Sequence, residues 1–358
     1  MNKRIIGFDL ARAYAVLGMF IVNFNTVFGS LTDKEGLSGF LNLFNGNSST
    51  IFVMLAGMGV SLFTTKGIEQ SDLRSNLRSI ILKRSWFLFF FGLLFFIWWP
   101  ADILHFYGGY MHLAALLLFV PKQYYLVAAG LAVGVFHLLF LLVPFDTGWN
   151  FELFQYLDFW TIKGFLRNTF YNGWNPIFPW VAYFFVGQYL GRLNWNASHT
   201  ALNTILAGLS LFIPIQVLQY CAAQVTTNSD TLAYIQADYL PPFLPFMLGT
   251  MGFGMVVIGL CMKIGERISH NRIAKVLAET GKLTLTHYVS HITIGFILLA
   301  IITGKTLDEQ IMDLPDTPPF VILLFAILFF IISCLFSHLW LKKFSNGPLE
   351  SLMRKVSG

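Results

Sequence analysis

The chain has 358 residues, of which 56% are hydrophobic, 17% aromatic and only 11% charged, with a formal net charge of +5 and a mean hydropathy of +0.66. A soluble chain carries about 25% charged residues, so these few cannot clothe a water-facing surface, and lipid is the expected solvent. This excludes a soluble enzyme, a disulfide scaffold and a disordered protein, and it reads the basic excess as topology and anionic lipid rather than nucleic-acid binding.

A helix needs about 20 apolar residues to cross the hydrocarbon core. Ten stretches qualify, at 5–28, 49–66, 80–99, 103–120, 123–144, 176–193, 201–223, 241–262, 282–303 and 318–341, the second and sixth of them short. They predict an all-α, polytopic integral membrane protein of about ten transmembrane helices, forming a single transmembrane domain over residues 1–358. The start does not read as a cleavable signal. Asp9 and Arg12 interrupt the apolar core, and Ala13-Tyr14-Ala15 precedes the apolar run instead of following it.

An even number of spans puts both termini on one side. Taking that side as cytoplasmic places eighteen Lys and Arg inside, including Lys3, Arg4, Arg84 and Lys282, and only Lys34, Lys163, Arg167 and Lys305 outside. The outer side holds twelve acids, among them Asp33, Asp102, Asp308, Glu309, Asp313 and Asp316. The positive-inside rule therefore predicts an N-in, C-in protein. The segment 146–175 becomes the largest external loop, and its Trp, Phe and Tyr suit an interfacial element or a lid. The basic internal loops 66–85 and 263–282 fit anionic lipid or a phosphate-rich donor.

Ionisable groups inside spans are costly and mark candidate sites. Asp9 and Arg12, at i and i+3, share a helix face. They read either as a neutralised pair locking the helix or as an anion site in which Asp9 orients Arg12. Asn23 lies eleven residues beyond Arg12, about three turns, on the same face, which extends the polar stripe past mid-membrane. In the fourth span, Asp102 and His105 read as a carboxylate–imidazole pair or as a helix cap, and His112 falls on the face of His105. In the ninth, His287 and His291 are i, i+4 neighbours beside Tyr288 and Ser290, so a general base near neutral pH is available there. No metal is expected, because neither HExxH nor a third ligand accompanies the histidines, and nothing beyond the histidines themselves points to a haem. Cys221, Cys261 and Cys334 each sit in apolar stretches and read as small buried hydrophobes.

Several segments resemble a known family. Gly7-Phe-Asp9-Leu-Ala-Arg12, continuing to Gly18 and Asn23, is similar to the first helix of YeiB-like membrane proteins and of heparan-alpha-glucosaminide N-acetyltransferase-like proteins. Phe52–Leu62, Asp102-Ile-Leu with Tyr107, Gly281–Tyr288 and Gly347-Pro-Leu-Glu350 with Arg354 resemble the YeiB-like group. Pro176–Arg192 resembles the acetyltransferase-like group. The likeness spans nearly the whole chain. It implies a transmembrane acyltransferase in a bacterial inner membrane, with acyl-CoA (acetyl-CoA) as donor and a hydroxyl or amine on a sugar or lipid-linked acceptor. Asp9 and Arg12 take the family's Asp and Arg positions. Asn23 stands where the OafA type of acyltransferase has its His, and the loop 29–48 holds no His, although the acetyltransferase-like group uses one there. His287 and His291 stand where YeiB-like proteins commonly have Asn and Gln.

The resulting expectation gives Arg12, with Arg84 and Lys282, the donor phosphates, and Asp9 the orienting of Arg12. His291 is the base with His287 second, and Asn23 bonds the acyl carbonyl. Asp102, His105, His112 and Tyr288 take the acceptor side. A transporter or flippase for a lipid-linked or anionic solute is the competing reading, and an assembly partner for envelope machinery a third. The sequence does not reveal an oligomeric state.

Overall fold

The computed structural model describes residues 5–30, 33, 35–152, 154–236, 238–305 and 317–358. Lys3, Arg4, Lys34, Asp308, Glu309, Asp313 and Asp316, which enter the charge balance, lie outside them. In chain order the helices are α1 (Ile6–Phe28), α2 (Gly36–Asn42), α3 (Asn47–Thr64), α4 (Lys66–Glu69), α5 (Arg74–Phe96), α6 (Leu104–Leu116), α7 (Gln123–Leu142), α8 (Ile162–Arg167), α9 (Ile177–Gly191), α10 (Thr200–Val225), α11 (Ser229–Ile235), α12 (Leu244–Ile268), α13 (Arg272–Thr280), α14 (Thr284–Ser290), α15 (Phe296–Thr303), α16 (Pro319–Leu341) and α17 (Pro348–Ser357). A two-stranded hairpin, β1 (Trp149–Asn150) with β2 (Gln155–Tyr156), lies before α8. The protein is helical and membrane-embedded.

Among the described residues, eight helices are long and apolar enough to span a membrane. The expected fourth and sixth spans are shorter. α6 has 13 residues and α9 has 15, about 20 and 22 Å at the helical rise, against a core of about 30 Å. The causes are local. Pro100 and the capping carboxylate of Asp102 delay the start of α6, whose first turn bonds His105 N to Asp102 Oδ2 at 3.2 Å. Pro179 forces Phe178 out of helical geometry (φ −99°, ψ 123°), because the residue before a proline avoids the α region.

The chain divides into two compact units. One comprises Met1–Phe52, Ala201–Ser210 and Gly252–Leu352; the other comprises Val53–Thr200, Leu211–Met251 and Met353–Gly358.

In the first unit α1 is the central helix, packed against α13, α14 and α16. Its small residues permit this. A methyl on Gly7 would come within 2.6 Å of Met262 Cα in α12, and one on Gly281 would overlap the Asp9 carbonyl oxygen. Toward its other end α1 packs by aromatic rings, with Phe24 at 4.9 Å from Phe325 and Phe20 at 5.1 Å from Phe329.

In the second unit α5 pairs with α6 and α7 with α9. Nearly every side chain of α9 is buried, so it faces protein and not lipid. Gly187 and Gly191 form a GxxxG step along which α3 lies. A methyl at Gly187 would overlap the Met54 carbonyl, and one at Gly191 would reach 2.9 Å from that of Met58. Small residues let membrane helices approach this closely. The segment 146–175 is a folded cap and not a loose loop. Trp149 Nε1 donates to Asn172 O (2.6 Å), Asn172 Nδ2 donates to Phe145 O and Thr147 O (both 2.8 Å), and Arg167 pairs with Asp158 at 2.5 Å. Its Leu157, Trp160 and Ile162 are exposed.

Candidate active site

The first unit holds most of the expected site residues. α14 begins after Gly281-Lys282-Leu283, and its free amides are satisfied from α17. Glu350 Oε1 accepts from Leu285 N (2.8 Å) and Thr286 N (3.1 Å), while Oε2 accepts from Thr286 Oγ1 (2.6 Å). A carboxylate here neutralises orphan donors and complements the positive end of the helix. Two separated stretches with family likeness, 281–288 and 347–354, are thus joined by one side chain.

This cap fixes the start of the helix that carries both imidazoles. His287 is buried, and its Nε2 lies 2.8 Å from Ser337 Oγ in α16. Ser337 Oγ already donates to Ser333 O at 2.8 Å, so His287 Nε2 is the donor to Ser337. The chain then widens into a π-helical turn over His291–Gly295, a feature that recurs at functional sites. His291 is fully buried. Its Nδ1 faces His287 O at 3.2 Å and its Nε2 lies 2.8 Å from Asn23 Nδ2. A carbonyl only accepts, so Nδ1 carries the proton and Nε2 accepts from the Asn23 amide. The two histidines therefore hold opposite tautomers. The basic nitrogen of His291 meets the Asn23 amide, whereas Nε2 of His287 is committed to a bond to Ser337 of α16. Around His291 stand Phe20 at 5.3 Å, Tyr288 at 5.5 Å, Phe296 at 6.1 Å and Phe24 at 6.2 Å, as ring centroids.

At the other end of the stripe Arg12 Nη1 donates to Asp9 Oδ1 at 2.8 Å. Asp9 is buried, while the Arg12 side chain keeps 24% of its surface. Gly281 lies directly against the Asp9 carbonyl and 3.2 Å from Ala13 N, measured from a methyl placed on it, so half-buried Lys282 follows within one residue of that turn. From Arg12 to Asn23 is about 16 Å along α1.

The remaining expected residues belong to the second unit. His105 Nδ1 meets Asp102 Oδ2 at 3.2 Å and both side chains are closed to solvent. His112 Nδ1 bonds Gly108 O at 2.9 Å and also Ser85 Oγ, and Ser85 Oγ donates to Gly108 O at 2.6 Å. Arg84 Nε donates to Ser357 Oγ at 3.3 Å and its guanidinium lies 4.7 Å over the Phe63 ring. Among the described residues no three His, Cys, Asp or Glu side chains converge as metal ligands. Glu350 was legible as part of a motif but without a role. Ser337 was missed, and its signal is a Ser333–Ser337 spacing of four, next to His338, in a largely apolar helix.

Comparison with known proteins places the chain in a family. A family described as heparan-alpha-glucosaminide N-acetyltransferase, catalytic, matches residues 4–221. One described as a protein of unknown function (DUF418), the YeiB-like family, matches residues 188–358. A protein of Bacillus acidopullulyticus, named as an uncharacterized 39.9 kDa protein in amylase 3'region, is 25% identical over 100% of this chain and 94% of its own. No solved structure matches the chain. With residues 4–221 matched, more than half of the chain, the protein belongs to the membrane family of the heparan-alpha-glucosaminide N-acetyltransferase catalytic domain, and its residues 188–358 are similar to the YeiB-like family.

Proposed function

We propose that the protein is a membrane acyltransferase that moves an acetyl group from acetyl-CoA to a hydroxyl or amine of an envelope sugar or lipid-linked acceptor. We also place ten crossings in a bacterial inner membrane with both termini cytoplasmic, so that donor and acceptor arrive from opposite faces. The family supports an N-acetyltransferase-like membrane enzyme. The Asn23–His291 bond carries the rest of the reading. It sets the imidazole that follows α14 beside the α1 position where a related acyltransferase type has its own histidine.

The chemistry follows from that bond. On arrival of substrates, the Asn23 amide turns from His291 Nε2 to the thioester oxygen, which frees the nitrogen lone pair. Nε2 takes the proton of the acceptor O–H or N–H. The acceptor atom forms its bond to the carbonyl carbon, and charge gathers on the oxygen that Asn23 faces. Collapse breaks the C–S bond, and the CoA thiolate leaves and takes the proton from His291. Arg12, oriented by Asp9, and Lys282 hold the donor phosphates. The roughly 16 Å between Arg12 and Asn23 along α1 matches an extended pantetheine arm. Tyr288 offers the acceptor a hydroxyl beside the base. In the second unit His112 ties α6 to α5 through Ser85, and Asp102 and His105 pair at the start of α6.

The test is acetyl transfer by purified protein in membranes, with labelled acetyl-CoA and an envelope glycan fraction. His291→Ala abolishes transfer while folded protein is recovered at the normal yield. Transfer that survives this substitution removes His291 as base. Movement of an unmodified solute into proteoliposomes, with no label transferred, replaces the enzyme with a transporter.

A further inference from the structure

The exposed face of α5 carries a feature that acyl transfer does not use. Lys83, Trp86, Phe87, Phe90, Leu94 and Val356 line an open groove of about 510 Å³. Lys83, Trp86, Phe90 and Leu94 repeat at helical spacing and are all exposed. From Lys83 to Leu94 is about 16 Å of helix, close to half of the roughly 30 Å hydrocarbon core and so to one leaflet.

The two ends of the groove differ in chemistry. Toward Leu94 it is wholly apolar and aromatic. At its other end Lys83 stands in the wall, and α17 adds Val356 directly after Arg354 and Lys355. Arg84, next to Lys83 on α5, and Arg354 on α17 both meet Ser357. Ser357 ties the two together, since its hydroxyl accepts from Arg84 Nε at 3.3 Å and donates to Arg354 O at 3.4 Å. None of the side chains lining the groove is acidic. Cations gathered at the head of an apolar slot one leaflet long are complementary to an amphiphile with an anionic head.

We propose that this groove is a binding site for one anionic phospholipid, its acyl chain along Trp86, Phe90 and Leu94 and its phosphate between Lys83 and Arg354. A zwitterionic lipid fills the same slot but offers the cations no net charge. The site therefore selects by headgroup, and the bound lipid fastens the end of α17 to α5. This assignment stands apart from the acyl-transfer reading and survives its failure.

Trp86 is a built-in reporter. The full chain is reconstituted in phosphatidylcholine nanodiscs containing increasing fractions of chain-brominated phosphatidylglycerol or chain-brominated phosphatidylcholine. The Trp86 signal is taken as the difference between the wild type and Trp86→Phe. We expect the brominated anionic lipid to reach half-quenching at a several-fold lower fraction. Lys83→Gln and Arg354→Gln each reduce that preference about fivefold, the equivalent of about 1 kcal/mol per basic side chain at an anionic surface. Both are surface positions, and recovery of monodisperse protein checks their folding. Equal quenching by the two lipids overturns the proposal, as does a preference that survives both substitutions. Displacement of the brominated lipid by micromolar palmitoyl-CoA reassigns the groove to a long-chain donor. Protection of Trp86 from both lipids, with a dimer seen by native mass spectrometry, reassigns it to a second copy of the chain.

Discussion

One hydrogen bond between Asn23 and His291 decides which imidazole nitrogen can receive a proton. With Nδ1 committed to the His287 carbonyl, only Nε2 accepts, and the Asn23 amide guards it. The same amide is the oxyanion donor in the proposed reaction. Asn23→Ala should therefore act twice. Loss of a buried bond costs about 1–3 kcal/mol of stability, read as a lower unfolding midpoint. Loss of the donor lowers kcat for acetyl transfer by about 100-fold. A variant that is less stable but keeps its kcat would assign Asn23 to packing alone. In the cap, burial raises the Tyr156 phenol to about 12, against a weaker lowering by the bond from Arg167. Its hydroxyl bridges Arg167 Nε (2.8 Å) and Asn172 Oδ1 (2.7 Å). The folded state holds this proton more tightly than the unfolded chain, whose phenol titrates near 10. The stabilisation is complete below pH about 10 and disappears as pH rises through about 12. Phenolate absorbance of the wild type minus that of Tyr156→Phe should titrate near the upper value. A midpoint near 10 would mean that the cap is open to water.

At the scale of helices, close approach depends on missing side chains. α9 meets α3 through Gly187 and Gly191, where an added methyl strikes backbone. Gly187→Leu must drive the two helices apart, and we expect it to abolish recovery of folded protein. Gly134 on α7 has nothing within 4 Å of an added methyl, so Gly134→Leu should be recovered at the wild-type level. Equal recovery of the two variants would show that this contact is dispensable. Such contacts mark the limit of what a sequence discloses. Apolar runs and period set the long helices, because lipid acts on each segment separately. The polar positions in those runs, Asp9, Arg12, Asn23, His287 and His291, could be picked out by their cost in lipid. Their pairing could not, since Asn23 and His291 are 268 residues apart and only the packing of α1 on α14 joins them. The length of α6, and the burial of α9, whose stretch 176–193 already reads as short, escaped for a related reason. Hydropathy counts an aromatic residue the same whether it faces lipid or another helix, and α9 buries its residues in protein.

For the whole molecule, the two short helices decide the direction of everything between them. If α6 and α9 cross, the cap 146–175 is external. If only the eight long helices cross, the cap changes sides while both termini keep theirs. Trp160 is 68% exposed at its outer surface, which makes it a suitable marker. Trp160→Cys, in a background lacking Cys221, Cys261 and Cys334, should react with an impermeant maleimide in intact cells. Reaction only after permeabilisation would establish eight crossings and reverse the cap.

The bond between Glu350 and the start of α14 also carries a consequence for biogenesis. Its partners are 65 residues apart, and at about 5–20 residues per second a ribosome needs roughly 3–13 s to pass from one to the other. Both imidazoles are synthesised seconds before the carboxylate that caps their helix. The nascent protein is therefore armed last, when its closing segment comes back to finish α14. A chain that stalls between these points leaves an intermediate whose histidines are made but whose helix start is unsecured.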